Sequence, residues 1–310
     1  MYKGKLKKTF VFVLLVAGVA QAGLTAHSAI SSQAIERYAN KTAHAAINNA
    51  AAGETDSQGK DMPKEAVDTS NIVLKPEVED RIASLSGGKA VNNIKNYKTL
   101  LAALKVPARF QEKIEDMYFG GHKTEDVLIA YEYLYQNYGN IEELGGLLER
   151  KETGKTWRSI FKEFGKGNGQ FEPGTFPEGK LEKILRIPGI TPDDVIIADR
   201  ISQKLDIEFD ELIAMRKKGK DWMTINEETG IVNTSGELPR AVITSAQVKS
   251  YMKSSGLSEE KVIEALALAQ RLGMEGKAVI DKFKGNNTEN DIIADGLEVK
   301  YRQQDGGMKD

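Results

Sequence analysis

One stretch of this chain is written twice. Asp126-Val127-Leu128-Ile129-Ala130 returns 68 positions on as Asp194-Val195-Ile196-Ile197-Ala198, and Glu142-Glu143-Leu144 returns at the same spacing as Asp210-Glu211-Leu212. After a three-residue change in loop length, Gly154-Lys155-Thr156-Trp157-Arg158-Ser159-Ile160 is matched by Gly219-Lys220-Asp221-Trp222-Met223-Thr224-Ile225, and Gly165 by Gly230. Both tryptophans of the chain fall at this one position. A third, weaker copy sets Val262, Ile263, Ala265, Leu268 and Leu272 opposite Val195, Ile196, Ala198, Ile201 and Leu205 at a spacing of 67, without a tryptophan. A repeat of this length is one supersecondary unit whose apolar face must be covered by its neighbours, and terminal units depart from the pattern because one face has no neighbour.

Each copy carries helix punctuation. In Gly189-Ile190-Thr191-Pro192-Asp193-Asp194 a glycine able to take left-handed φ ends one helix. The next opens with an apolar residue, a threonine cap, proline at the first helical position and two acids at the positive end of the helix dipole. Gly256-Leu257-Ser258-Glu259-Glu260 repeats that order, and Gly121-His122-Lys123-Thr124-Glu125-Asp126 follows it one residue more loosely. Behind the caps, Ala198, Ile201 and Leu205 recur at three- and four-residue steps and lay an apolar stripe along one helix face. The expected fold is therefore all-α, in internally repeated units of about 67–68 residues covering 107–180, 181–245 and 246–285. Each unit is a helix ending at glycine, a capped second helix, a third near the Glu-Glu-Leu or Asp-Glu-Leu signal, and a short tryptophan helix. No alternating run predicts a sheet, and Gly165 to Lys180, with five glycines and two prolines, reads as a flexible loop.

The ends of the chain read differently. A basic start (Lys3, Lys5, Lys7, Lys8), an apolar run over residues 9–20 and the triplet Ala20-Gln21-Ala22 have the layout of a secretory signal peptide, expected to be cleaved after Ala22. The run is shorter than the roughly 20 residues that cross a bilayer as a helix, which makes an uncleaved anchor the second choice and the only expected tie to a membrane. Residues 23–80 are poor in large apolar groups and read as a flexible tether. Residues 81–285 form the helical-repeat domain, and 286–310 read as a polar tail ordered only to Ile292 and Ile293. Loss of residues 1–22 removes four lysines and no acid, taking the net charge from −2 to −6. An acidic chain without a long basic run argues against a nucleic-acid partner. The absence of cysteine excludes disulfides, thiolate metal sites and a cysteine nucleophile.

The candidate site residues each have a structural and a functional reading. Trp157, Ile160 and Gly165 are spaced like Trp222, Ile225 and Gly230, which suits the opening helix and turn of a helix-turn-helix module. The same pattern suits a short amphipathic helix whose tryptophan and isoleucine pack inward and whose glycine is a C-cap, and export favours this second reading. Tyr131, Tyr135 and Tyr138 can share one helix face and form a ligand or partner surface for glycan or peptide, or a contact between units. His122 holds the slot of Ile190 and Leu257 and reads as a helix-entry packing residue. The acidic pairs Glu142-Glu143, Asp193-Asp194 and Asp210-Glu211 could serve glycoside hydrolysis, with Glu143 or Asp194 as the acid, but each sits where a helix start favours negative charge. Gly165-Lys166-Gly167-Asn168-Gly169 lacks the strand context of a phosphate-binding loop. No catalytic residue, cofactor or metal is assigned.

The signal-like start, Asp194-Val195-Ile196-Ile197-Ala198, Asp210-Glu211-Leu212, and Arg216 followed by Gly219-Lys220-Asp221-Trp222 with Ile225 together resemble uncharacterised exported helical-repeat proteins of spore-forming, Gram-positive-type bacteria. The resemblance covers about residues 110–285 and implies export and a helical-repeat fold, with no activity, cofactor or site residue attached. The first copy departs from it in the longer Arg150 to Gly154 loop and in its tyrosines. The expected function is an exported binding or scaffolding protein acting on an envelope or extracellular protein or glycan. A hydrolase of cell-wall or extracellular polymers and a nucleic-acid-binding regulator are the alternatives.

Overall fold

The computed structural model describes residues 10–14, 67–168, 171–177 and 179–302. Of the expected signal peptide only residues 10–14 fall within this range, and the expected tether from 23 to 66 lies outside the described residues. The fold is predominantly helical, with 14 helices among the described residues. In chain order these are α1 (Pro76–Leu85), α2 (Ala90–Ala103), α3 (Ala108–Phe119), α4 (Thr124–Gln136), α5 (Glu143–Glu152), α6 (Trp157–Asn168) and α7 (Lys180–Leu185). There follow α8 (Pro192–Leu205), α9 (Phe209–Lys217), α10 (Trp222–Thr229), α11 (Ser245–Ser255), α12 (Glu259–Leu272), α13 (Gly276–Lys284) and α14 (Glu289–Arg302).

The caps read from sequence are in place where the hydrogen-bonding chemistry is strongest. Thr191 forms a full capping box with Asp194 at the start of α8, and Ser258 accepts from Lys261 N ahead of α12; a further cap, not among those expected from the sequence, is Asp221, which accepts from Thr224 N ahead of α10. Gly230 ends α10 at φ +81, and a Cβ there would lie 2.9 Å from the Asn140 amide, so both the backbone angle and the close approach demand glycine. Gly165, its counterpart in the sequence, is not a cap. Helix α6 runs through it, and a Cβ at that point would lie 2.7 Å from the Asn290 side chain on α14. The glycine lets another helix come close instead of ending its own.

Three further expectations are corrected. The chain contains a two-stranded antiparallel sheet in which β1 (Phe10–Leu14) pairs with β2 (Arg240–Thr244), Phe12 opposite Val242. Five residues with an alanine among the inward side chains gave too weak an alternation to announce β2. Residues 289–302 are not a loose polar tail: Ile292, Ile293, Ala294, Leu297 and Tyr301 are buried on α14, which packs against α4 and α6. Their three- and four-residue spacing is that of a helix with one dry face, masked in the sequence by the charges on the other. At the other end, order begins before residue 80, since Leu74 is buried and α1 starts with Pro76 at its first turn.

The core has two parts. Helices α1 to α6 share one hydrophobic cluster with β2 and α11 to α14, so the first and third sequence copies are packed together. The middle copy, α7 to α10, builds a separate cluster around Ile197, Ile201, Leu212, Trp222 and Ile225, joined by Tyr138 from the end of α4. A backbone bridge between Asn140 and Ile231, with Ile141 N donating to Gly230 O at 2.8 Å, stitches the middle copy to the first.

Candidate functional site

Trp157 and Trp222 are fully buried, each with its indole N–H donated to an aspartate. Trp222 Nε1 bonds Asp194 Oδ1 at 2.7 Å and Trp157 Nε1 bonds Asp126 Oδ1 at 3.1 Å. A cation lies over each ring at the same distance, Arg216 over Trp222 and Lys151 over Trp157, 5.6 Å from the centroid in both. Ile160 and Ile225 are buried beside them. An indole packed on its face and bonded at its N–H to a buried carboxylate is an inward-packed residue, as the amphipathic-helix reading of this motif expects.

Tyr131 and Tyr138 are buried and Tyr135 is half-buried, which removes the expected aromatic surface. The residues between them explain why: Val127, Leu128, Ile129, Ala130, Tyr133 and Leu134 are buried as well, so α4 is dry on every side and has no face left for a ligand. The Tyr138 ring instead carries the Arg200 guanidinium 4.5 Å above its centre. Burial raises the phenols of Tyr131 and Tyr138 above their ordinary value.

His122 forms a single pair with Glu152, Nδ1 to Oε1 at 2.7 Å, at the entry to α4. The acidic pairs are engaged in holding helices. Asp194 accepts from Thr191 N, Thr191 Oγ1, Arg216 Nε and Trp222; Asp193 takes both Arg240 Nη2 and Leu238 N; Glu143 accepts from Asn140 N at 2.7 Å; Asp210 pairs with Lys180. Among the described residues no group of three or more His, Cys, Asp or Glu is placed to hold a metal, and no helix is long and apolar enough to cross a membrane.

A strand edge beside an apolar groove lies elsewhere, at β2. Its side chains alternate, with Ala241 and Ile243 buried and Val242 exposed. The Gln270 amide on α12 closes one edge: Val242 N donates to Oε1 at 3.0 Å and Nε2 donates to Val242 O at 2.8 Å. Successive residues of a strand turn their backbone groups to opposite edges, so Ala241 and Ile243 present theirs to the other side, where β1 lies. Thr244 ends the strand and caps α11 in a box with Gln247, which fixes the angle between strand and helix.

Beside this strand runs a groove of about 270 Å³. Ile243 and Val248 form its buried floor, Met252 and Ile263 its half-buried walls, and Ser245, Lys249 and Glu259 its polar margin. That volume is below the ~300–1,000 Å³ of small-molecule pockets and suits one or two side chains. A backbone edge next to a side-chain groove is the equipment by which sheets take up extended peptides. None of these residues was read as a site in the sequence, where Ile263 and Glu259 entered only as parts of the third copy and its helix start; the apolar step from Val248 to Met252 at helical spacing was the available signal, and it does not distinguish a groove from a core.

Comparison with family models, with curated proteins and with solved structures returns no match.

Proposed function

We propose that this chain is an exported binding or scaffolding protein of the cell envelope or extracellular space, which receives an extended segment of a partner protein along β2 with one side chain seated in the adjoining groove. The observation that carries the reading is the combination at β2: one edge sealed by Gln270, the opposite edge holding an extended apolar segment, and an apolar groove alongside. A protein partner is favoured over a glycan because the groove is apolar and the tyrosines that would stack on sugars are buried.

The reading also treats the three related stretches as copies of one unit. Supporting this, Asp126–Trp157 and Asp194–Trp222 form the same bond, and Lys155–Glu163 and Lys220–Glu228 form the same ion pair at matched positions. Tyr138, Asp206 and Gly273 all take left-handed φ at the end of the corresponding helix, at +52, +54 and +66. Export rests on the basic and apolar start ending in Ala20-Gln21-Ala22.

Fluorescence anisotropy with labelled peptides that alternate apolar and polar residues tests the site. Ile263→Glu places a carboxylate in the groove wall, where the side chain is half-exposed and the fold should tolerate it. With both proteins lacking residues 1–22, binding by the otherwise native chain and a loss of about tenfold or more in the variant, with unchanged circular dichroism, is expected. No binding by either protein, or equal binding by both, would overturn the site. Cell fractionation with N-terminal sequencing tests export, and a chain retained in the cytoplasm with residues 1–22 in place would remove that half of the proposal.

A further inference from the structure

Which segment occupies β2 follows from the pairing itself, and the inference rests on the reading just given of this edge as a receptor for extended chain. Segment Phe10–Leu14 lies antiparallel on β2, with Val11 opposite Ile243 and Val13 opposite Ala241. These are the two β2 residues whose backbone groups Gln270 leaves facing outward, since it takes those of Val242 between them. The segment lies inside the apolar run of the expected signal peptide, a run with no charged residue between Thr9 and Ala22. We infer that the leader is the first ligand of this protein: Phe10–Leu14 blocks the β2 edge in the precursor, and cleavage after Ala22 vacates it.

The physical consequence is a change of state without a change of fold. With β1 gone, Ala241 and Ile243 present unpaired N–H and C=O groups along an edge, and such a row is a template for another strand. The chemistry of the segment that was removed defines what can replace it, namely an extended peptide, uncharged over about five residues, whose alternate amides are free to pair. Pairing before export would also keep the precursor from capturing partners in the wrong compartment.

The test uses the full-length chain. Val11→Pro with Val13→Pro removes the two N–H donors that face β2 and leaves every residue of β2 unchanged. Amide hydrogen exchange at Ala241 and Ile243 is followed by NMR, with Val242, held by Gln270, as internal reference. Binding of a synthetic Phe10–Leu14 peptide is measured in parallel. Expected are protection at Ala241 and Ile243 in the native chain, exchange faster by about tenfold or more in the variant, and a similar gain in affinity for the added peptide, as two hydrogen bonds would give. N-methylation of the peptide at Val11 and Val13 should abolish its binding to the variant, whereas N-methylation at Phe12 should not. Equal exchange in both chains, or a peptide affinity indifferent to the substitutions, would overturn the leader as occupant. Should both chains bind alternating peptides equally well, occupancy by the leader falls while the edge stands as a receptor; should neither bind, both readings fall.

Discussion

Trp222 and Asp194 meet through one indole N–H at 2.7 Å, at a carboxylate that is 1% exposed. The same oxygen accepts from Arg216 Nε at 2.7 Å, while the other closes the capping box with Thr191. One side chain thereby ties the start of α8 to α9 and α10.

Asp194→Ala should accordingly be among the most damaging single changes in the middle copy. It leaves a guanidinium and an indole N–H without their acceptor and opens the cap, for a loss of about 3–5 kcal/mol. Trp222→Phe keeps most of the buried ring and strands only one acceptor bond, so about 1–3 kcal/mol is expected. Urea denaturation midpoints at constant slope measure both. A midpoint for Asp194→Ala within error of the native one would contradict the role assigned to this carboxylate.

Ending the chain after Thr288 removes α14. That takes away the partners of three α4 residues: Arg302 from Asp126, Lys300 and Tyr301 from Glu132, and Asn290 from the Tyr133 hydroxyl. It also strips the cover from apolar residues of α4 and α6. The truncated protein should bind an apolar dye and lose its cooperative thermal transition, whereas a dispensable tail would leave the transition in place.

Alkaline pH should unfold the protein through its tyrosines. Burial raises the phenols of Tyr97, Tyr118, Tyr131, Tyr133, Tyr138 and Tyr301 above their usual 10.0. A raised folded-state pKa means that the stabilisation is complete below about pH 10 and is lost as pH climbs above it, because the unfolded chain releases these protons first. Absorbance at the phenolate band should show the six delayed groups ionising together, in step with the loss of helical circular dichroism. Gradual ionisation near pH 10 in a still-folded protein would contradict their burial.

Asp295 sets the acid side. Its partial burial would raise its pKa, but hydrogen bonds from Arg158 and Lys282 outweigh that and hold it below 3.8. The lowered value makes its contribution present above about pH 3.8 and lost as pH falls through the folded-state value. Asp295→Asn should therefore lower stability at neutral pH and flatten its decline below pH 4, measured as urea midpoints across that range. A parallel offset at every pH would show that the charge is not what matters.

Helix starts and register were legible in the sequence because they depend on neighbours within four residues: Thr191 and Ser258 cap where glycine, acid and apolar spacing said they would. Inward packing of both tryptophans was legible for the same reason. Contacts between distant residues left no such trace. Nothing near Asp126 announces that its arginine comes from position 302, 176 residues away, nor does Gly165 reveal that Asn290 needs its empty side. The groove at β2 went unseen because Val248, Met252 and Ile263 look like any helical stripe until the neighbouring elements leave them half-covered.

Helix α14 carries a mechanical consequence. Arg302 bonds Asp126 on α4 through its guanidinium, and its backbone carbonyl accepts from Lys89 beside α2, so the far end of the described chain is bolted to its first helices. The middle copy is then a detour that leaves and re-enters the same anchored body. Tension applied between α2 and the end of α14 would load that bolt first, and the detour would stay slack until it gave way.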